Sequence, residues 1–246
     1  MNIVSYNLRY GGNTSVSPEN HWQRLMKDFE PDLVFAQESV HPEKYFSDEV
    51  FAGFKSALYT PVPHGKWGSA ILSKTHALEP ITLPGFEGWV TGAKVPDLKI
   101  GGSSQTAMVF SLHAPSPGPY EPHVHRILDA IAKVRDGSPL IIAGDFNLTT
   151  AVRDPLDPLG KNIPSEKRIL ERLRCEFGLF NAWQIMHPNQ PLPQTLRWSK
   201  NPLPHYHCDG VFVSHVHLQH LVQTKVESAD HWGTLSDHNP IFVSFK

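Results

Sequence analysis

Short apolar runs separated by polar turns recur along the whole chain, and this alternation constrains the fold more than any other feature. The runs lie at residues 3–6, 33–36, 70–72, 107–110, 140–143, 211–213 and 241–243. Apolar runs of this length between turn residues are typical of buried β-strands. We therefore predict a fold built around extended sheets.

Between several of these runs the apolar residues take up the period of an amphipathic helix. They are Trp22, Leu25, Met26 and Phe29 in the first such segment, Val124, Ile127, Leu128 and Ile131 in the second, and Ile169, Leu170, Leu173 and Phe177 in the third. Apolar residues three and four apart share one face of a helix. Strands interspersed with such helices predict an α/β fold in which sheets pack together and helices cover them outside.

The 246 residues contain no internal repeat and no segment with the composition of a linker, so we expect one domain over residues 1–246. The net charge of −2 supplies no long-range field for capturing a polyanion, so nucleic acid is neither required nor excluded as a partner. Cys175 and Cys208 lie far apart, which favours reduced thiols over a disulfide framework. No signal segment or transmembrane span is evident, and we expect a soluble, cytoplasmic monomer without a protein partner.

Polar side chains stand within or at the ends of several apolar runs. They are Asn7, Glu38, His113, Asp145, Asn147, Asp209, Asp237 and His238. The ends of strands in layered sheets can converge on one rim. Carboxylate and amide oxygens gathered there would suit a hard cation, which prefers oxygen ligands.

Each of these residues also has a purely structural explanation when it is taken alone. Asn7 could form a turn, Glu38 could be a solvated strand end, and an isolated buried histidine such as His113 is commonly a core side chain. Asp145 and Asn147 could build a turn, although their spacing of two puts both side chains on one face of an extended chain.

The acids in the last part of the chain have similar alternatives. Asp209 enters a strand, where an unpaired acid is costly. Asp237 and His238 precede Asn239 and Pro240 before the final strand, and an Asx turn before proline would explain that segment locally.

The order of these segments resembles that of the endonuclease/exonuclease/phosphatase superfamily along the whole chain. The matching segments are SYNLR at 5–9, QE at 37–38, GSAILS at 68–73, SLH at 111–113, GDFN at 144–147, DGVFVS at 209–214 and SDHNP at 236–240. The resemblance implies a four-layer α/β/β/α sandwich of two packed, mainly antiparallel or mixed sheets flanked by helices. That architecture agrees with the independent pattern of strands and helices.

The resemblance also implies a set of metal ligands. Glu38 matches the principal metal-binding carboxylate of the superfamily, and Asn7 and Asp237 match direct or water-mediated contacts. The implied cofactor is Mg²⁺, with Mn²⁺ as a substitute, which would polarise the phosphoryl oxygens and orient the attacking water.

The remaining residues match catalytic groups of the superfamily. Asp145 resembles its acid/base aspartate, and Asn147 resembles a hydrogen-bond donor to the phosphate. Asp209 resembles the partner that orients His238 towards the phosphate. His113 matches the histidine of the deoxyribonuclease, sphingomyelinase and deadenylase branches, whereas the apurinic-site branch has tyrosine there.

Two features depart from this scheme or compete with it. The segment QTLRW at 194–198 replaces a threonine-tryptophan motif of the superfamily, which puts its role in doubt. Histidines spaced two apart, at 123 and 125, 205 and 207, and 215 and 217, suggest zinc. The first pair lies in a helix-like segment, where side chains two apart diverge, and the other two pairs have no obvious carboxylate or thiolate set. We favour oxygen-ligated Mg²⁺ over a dedicated zinc site.

The sequence thus predicts a Mg²⁺-dependent hydrolase, a nuclease, phosphodiesterase or phosphatase that cleaves a phosphate ester with activated water. DNA or RNA is the first substrate class to test, and phospholipid or inositol phosphate is the second, since fold and metal centre recur across these substrates. A binding module that has lost turnover is the alternative from another class, and it predicts a missing site residue. None of the matched positions is missing.

Overall fold

The sheets and helices of the protein are seen in a computed structural model that describes residues 1–9, 18–41, 52–116, 118–156, 161–198 and 206–246. The strands are β1 (Asn2–Asn7), β2 (Leu33–Ser39), β3 (Ser56–Pro61), β4 (Gly68–Ser73), β5 (Glu79–Ile81), β6 (Val90–Ile100), β7 (Ser103–His113), β8 (Leu140–Asp145), β9 (Leu179–Asn181), β10 (Asp209–Ser214), β11 (Leu221–Val226) and β12 (Ile241–Phe245). The helices are α1 (Pro18–Phe29), α2 (Tyr120–Val134), α3 (Pro164–Cys175), α4 (Ala182–Met186), α5 (His215–Leu218) and α6 (Ala229–Trp232).

The strands form two mixed sheets of six strands each. Sheet I has the order β11-β12-β1-β2-β4-β3, and sheet II has the order β5-β6-β7-β8-β10-β9. In each sheet one central pair is parallel, β1 with β2 and β7 with β8, and the other pairs are antiparallel. A parallel pair needs a crossover connection, and α1 and α2 lie in these two connections.

Three apolar clusters hold the layers together. The first lies between the sheets and includes Ile3 of β1 and Ile141 of β8. The second joins the outer face of sheet II to α2 and α3 through residues such as Ile142 and Ile127. The third joins the outer face of sheet I to α1 and includes Val4. Since successive side chains of a strand point to opposite faces, Ile3 and Val4 serve different clusters, as do Ile141 and Ile142. The predicted four-layer α/β/β/α sandwich is confirmed.

The predicted helical periods also match the layers. In α2 the buried residues are Val124, Ile127, Leu128 and Ile131, and the sequence pattern had assigned the same residues to one face. Burying large aliphatic side chains stabilises the fold by about 1.5–3 kcal/mol each. Among the described residues no helix combines the length and the apolar character that crossing a membrane requires.

The connectivity brings the polar strand ends to one rim of the sandwich. β1, β2, β7 and β8 all end there, because each is parallel to its partner, whereas the antiparallel β10 begins there. In sheet II, His113 is in register with Asp145, and Asp145 is in register with Asp209. Neighbouring strands lie about 4.8 Å apart, so three of the candidate side chains form a short row on three adjacent strands.

Candidate active site

Asp209 and His238 form a hydrogen-bonded pair at the rim. Nδ1 of His238 lies 2.9 Å from Oδ2 and 3.1 Å from Oδ1 of Asp209. The backbone N–H of His238 donates to Oγ of Ser236 at 3.1 Å, and that hydroxyl donates to the carbonyl of Asn7 at 2.8 Å. Since Nδ1 faces the carboxylate, Nε2 is the ring atom free for other contacts. It lies 3.7 Å from Oδ2 of Asp145.

The His238 ring is buried, and the carboxylates around it decide its charge. Burial alone would lower the pKa of His238, but the charge and hydrogen bond of Asp209, together with the charges of Asp145 and Asp237, raise it to about 10. The ring is therefore an imidazolium at neutral pH. It can stabilise negative charge that develops on a phosphate.

His113 occupies the same rim but has a different environment. Its Nε2 lies 3.7 Å from Oε1 of Glu38 and 3.7 Å from Oδ2 of Asp145. The rings of Trp67 and Trp89 pack around it with centroid distances of 5.5 and 5.4 Å. Burial lowers the pKa of His113 to about 4, so this ring is neutral near pH 7. A neutral imidazole can donate one hydrogen bond and accept one.

Asp145 lies between these histidines. Its Oδ1 accepts from the backbone N–H of Asn147 at 2.8 Å, and its Oδ2 accepts from Nδ2 of Asn7 at 3.1 Å. Burial and the nearby charge of Asp209 raise the pKa of Asp145 above that of an ordinary aspartate. Its carboxylate is therefore a stronger base than an exposed one.

Asn147 lies beside Asp145 as the spacing predicted. Its Nδ2 donates to the carbonyl of Ala114 at 2.9 Å, which joins the end of β8 to the loop after β7. This bond uses one of the two N–H groups of the amide. The other can donate to a bound phosphate.

The oxygen ligands proposed from the sequence come mostly from sheet I. Nδ2 of Asn7 donates to Oε1 of Glu38 at 3.3 Å. Burial raises the pKa of Glu38, while the charge of His238 and the bond from Asn7 lower it. Asp237 is close enough to contribute to the rise, and its Oδ2 lies 3.2 Å from Nε of Arg9.

Three of the six non-glycine residues with positive φ in the described parts of the chain lie at this rim. Arg9, Glu38 and Asn147 have φ angles of 54°, 47° and 52°, a region that side chains other than glycine adopt infrequently. Glu38 also lies where the pairing of β2 with β4 shifts its register between Ala36 and Ser39. Such conformations cost about 1–3 kcal/mol each and persist where the surrounding structure holds them. Here they turn functional side chains into the site.

The oxygen donors fit a hard divalent cation. Oδ1 of Asp237 is buried and has no hydrogen-bond partner among the described residues, and the side chain of Glu38 keeps 19% of its surface exposed. An orphaned buried carboxylate oxygen is costly, and a cation would satisfy it. Asn7 adds an amide oxygen, which already accepts from the N–H of Arg9 at 2.9 Å. The set consists of oxygen atoms, as Mg²⁺ or Mn²⁺ requires.

A second group of donors has a softer character. Within the described parts of the chain, Asp145, Cys208 and His238 are the one group of three whose candidate ligand atoms all lie within 4.8 Å of one another. Burial raises the pKa of the Cys208 thiol well above its usual range, so the thiolate is disfavoured. None of the histidine pairs noted in the sequence contributes to this group, and His205 lies outside the described residues.

The altered segment at 194–198 supports the Asp209–His238 pair. Oγ1 of Thr195 accepts from the backbone N–H groups of Cys208 and Asp209 at 3.0 and 3.1 Å. The carbonyl of Thr195 accepts from the N–H of Asn239 at 2.8 Å. Arg197 donates to the carbonyls of Ser236 and His238. The segment thus ties the start of β10 to the loop that carries His238.

All eight residues predicted for the site lie at this rim, and the structure adds others that sequence reasoning did not assign. Arg9 belongs to the matched SYNLR segment, where its charge could have suggested a partner for an acid. Thr195 had only a weak signal, because its segment departs from the superfamily pattern. Trp67 and Trp89 had none, since their contact with His113 depends on tertiary packing.

Comparisons with known proteins give one family and one fold. The model of the endonuclease/exonuclease/phosphatase family matches residues 4–238. No curated protein sequence matches the chain significantly.

Several solved structures have the same fold. An AP endonuclease from Archaeoglobus fulgidus has a TM-score of 0.71 at 18% identity, over 100% of this chain and 99% of that one. The 3'-5' exonuclease NExo from Neisseria meningitidis has a TM-score of 0.73 at 19% identity, over 100% of both chains. The Neisseria 3' phosphatase NExo, bound to a product DNA hairpin, has a TM-score of 0.72 at 19% identity, over 100% of this chain and 99% of that one.

Proposed function

The chain belongs to the endonuclease/exonuclease/phosphatase family of phosphoesterases, and on that premise we propose that it hydrolyses a phosphodiester of nucleic acid with the help of a divalent cation. The observation that carries the proposal is the meeting of two kinds of group at one rim. Asp145, a carboxylate of raised pKa, lies 3.7 Å from the charged imidazole of His238. Beside them lies Asp237, whose buried Oδ1 has no hydrogen-bond partner among the described residues.

Each residue has a role that follows from its contacts. Asp145 accepts the proton of the attacking water, since burial strengthens it as a base. His238, held by Asp209, stabilises the negative charge of the phosphate with Nε2. Asn147 and neutral His113 donate hydrogen bonds to phosphoryl oxygens.

The cation would be held by Glu38, Asp237 and Asn7. When bound there, it supplies a Lewis acid that polarises the phosphoryl oxygens. Arg9 neutralises part of the charge of Asp237, with which it forms an ion pair at 3.2 Å.

Nucleic acid is the substrate class that the relatives favour. The Archaeoglobus protein is an AP endonuclease, the Neisseria proteins are a 3'-5' exonuclease and a 3' phosphatase, and one of them is bound to a product DNA hairpin. The net charge of −2 indicates that binding depends on local contacts near the rim. We therefore expect the protein surface outside the site to bind duplex DNA weakly, with an affinity that depends little on salt concentration.

The test is an activity screen with Mg²⁺, Mn²⁺ and excess chelator. The substrates are single-stranded and duplex DNA, RNA, a chromogenic phosphodiester, a sphingolipid phosphodiester and inositol phosphates. We expect cation-dependent cleavage of a nucleic acid and loss of activity in chelator. Full activity in chelator would contradict the metal role, and preference for a lipid or inositol phosphate over every polynucleotide would contradict the substrate class.

Glu38→Ala and Glu38→Gln test the ligand set. Removing an anionic oxygen lowers affinity for a hard cation, so the cation concentration for half-maximal activity should rise by roughly 10-fold or more. Glu79→Ala removes an exposed carboxylate from β5 and serves as the matched control. A normal cation titration of both Glu38 variants would reassign the ligand.

A further inference from the structure

A cavity of about 540 Å³ opens directly beside the candidate active site. It shares Asn147 and Cys208 with the rim, and it extends from there towards the N-terminal ends of α2 and α3. None of the roles assigned above uses this space. A group attached to a phosphate at Asn147 would therefore have room beside the reacting centre.

The mouth of this cavity is aromatic and exposed. Trp198 is 69% exposed, Ile163 is 55% exposed and Tyr206 is 39% exposed, although large apolar side chains are ordinarily covered. Tyr120 at the start of α2 lines the same space. Exposed aromatic rings beside a phosphate site suit a planar ligand, because every nucleobase has a π-face that can stack on them.

Two polar groups interrupt the otherwise mainly apolar lining of the cavity, and they would suit a nucleobase better than an alkyl chain. Nδ1 of His207 lies 2.8 Å from the carbonyl of Pro193, which can only accept, so Nδ1 carries the proton. Burial lowers the pKa of His207 to about 4, so the ring is neutral and Nε2 keeps a lone pair. Among the described residues this Nε2 is buried without a hydrogen-bond partner. An unsatisfied acceptor costs free energy, which an N–H of a ligand would recover once the His207 ring turns Nε2 towards the cavity that it lines.

A second polar group lies against the same cavity. Nε of Arg153 donates to Oε2 of Glu166 at 2.9 Å, and its NH2 group donates to Oε1. Nδ2 of Asn162 donates to the same carboxylate at 3.0 Å. Both Arg153 and the nearly buried Glu166 line the cavity. The ion pair leaves little net charge there, which suits an uncharged polar ring better than a second phosphate.

We propose that this cavity, bounded by Trp198, Tyr206 and His207, holds the intact nucleobase of the nucleotide whose phosphate lies at Asn147. The assignment rests on the function proposed above, since it places the base of that substrate. It requires the base to leave any duplex stack, so a single-stranded or terminal nucleotide is the preferred substrate. Trp198 and Tyr206 are specificity-determining residues, because their rings contact the base and not the reacting atoms.

The test compares the binding of deoxyribonucleoside 5'-monophosphates with that of deoxyribose 5-phosphate, which lacks the base. Calorimetry with the full chain in excess chelator measures both affinities without turnover. We expect wild type to bind the nucleotides roughly 5- to 100-fold more tightly than the sugar phosphate, as stacking of one base allows. Equal affinities would overturn the proposal.

Variants separate stacking from a general loss of structure. Trp198→Ala should reduce the preference for nucleotides towards unity and leave the affinity for the sugar phosphate unchanged, whereas Trp198→Phe should retain much of it. Val222→Ala removes an exposed apolar side chain from β11 and should change neither. If Trp198→Ala weakens both ligands equally, the ring does not contact the base and the proposal is wrong.

This test and that of the proposed function can fail separately. If the chain prefers nucleotides as expected but cleaves no phosphate ester, the cavity assignment stands and the hydrolase does not. If it cleaves phosphodiesters with a cation but binds both ligands equally, the hydrolase stands and the cavity assignment is wrong.

Discussion

His113 at the end of β7 and His238 before β12 meet the same carboxylate in the same way. Each places Nε2 at 3.7 Å from Oδ2 of Asp145, and each ring is buried. Yet burial lowers the pKa of His113 to about 4, while the carboxylates around His238 outweigh burial and raise its pKa to about 10.

The difference between the two rings lies at the other nitrogen. Nδ1 of His238 is 2.9 Å from Asp209, whereas Nδ1 of His113 is buried without a partner in the described parts of the chain. A carboxylate hydrogen-bonded to the second ring nitrogen thus decides whether a buried imidazole is charged. One residue type supplies a cation before β12 and a neutral donor at the end of β7, within a single site.

The largest expected effect comes from removing the carboxylate that both histidines approach. Asp145→Asn keeps the shape of the side chain but removes its basicity, and we expect kcat to fall by about 10²- to 10⁴-fold with the fold intact. Asn147→Ala should also lower kcat, through loss of a donor to the phosphate. Single-turnover rates on a substrate identified by the screen measure both changes.

The control for Asp145→Asn is Asp230→Asn, which changes an exposed aspartate of α6. Circular dichroism and thermal unfolding would establish that the variants are folded. Near-normal turnover of a folded Asp145→Asn would remove this residue from the chemistry.

The next effect separates His238 from its partner. If Asp209 acts by holding and charging the ring, the double variant Asp209→Ala/His238→Ala should be little slower than His238→Ala alone. The four kcat/KM values of a double-mutant cycle provide the measurement. Losses that multiply would show independent roles and would end the idea of a working pair.

The fold could be predicted from sequence where strands are buried on both faces. All six residues of β8 are buried, and its apolar run is unbroken. The edge strand β11 was missed, because it is mostly exposed and the polar residues Gln223, Thr224 and Lys225 break its apolar pattern. β6 was missed because Lys94, Pro96 and Asp97 interrupt its apolar pattern.

The site could be predicted only as a set of residues. The pairing of Asp209 with His238, 29 residues apart, came from the family resemblance, and the geometry agrees with it. The opposite charges of His113 and His238 had no sequence signal, because they depend on which carboxylate faces which nitrogen. Thr195 likewise gains its role only through contacts with the distant Cys208 and Asn239.

A smaller effect is expected at the neutral histidine. His113→Asn keeps a donor but shortens the side chain, and the loss of one neutral hydrogen bond should lower kcat about 5- to 10-fold. Parallel assays of His113→Asn and His238→Asn make the comparison directly. If both variants lose the same activity, charge is not what distinguishes the two rings.

The smallest effect concerns a third buried histidine, His217 of α5, which lies away from the predicted site residues and has no carboxylate partner. Both of its ring nitrogens are buried, with no hydrogen-bond partner among the residues that the structure describes, and burial, with a contribution from His220, lowers its pKa to about 4. The unfolded chain takes up a proton at this residue near pH 6.5, whereas the folded chain does so only near pH 4. Between these values the unfolded state holds more protons, so stability is lost as the pH falls, by up to about 1.4 kcal/mol per pH unit for one proton.

His217→Leu and His217→Phe should therefore show a shallower fall in the free energy of unfolding, measured by urea titration between pH 6.5 and 4. His113 and His207 contribute the same acid sensitivity in wild type and variants, so the difference in slope isolates His217. Activity at pH 7 should be unchanged, and parallel stability curves for wild type and both variants would show that burial without a partner does not keep this ring neutral.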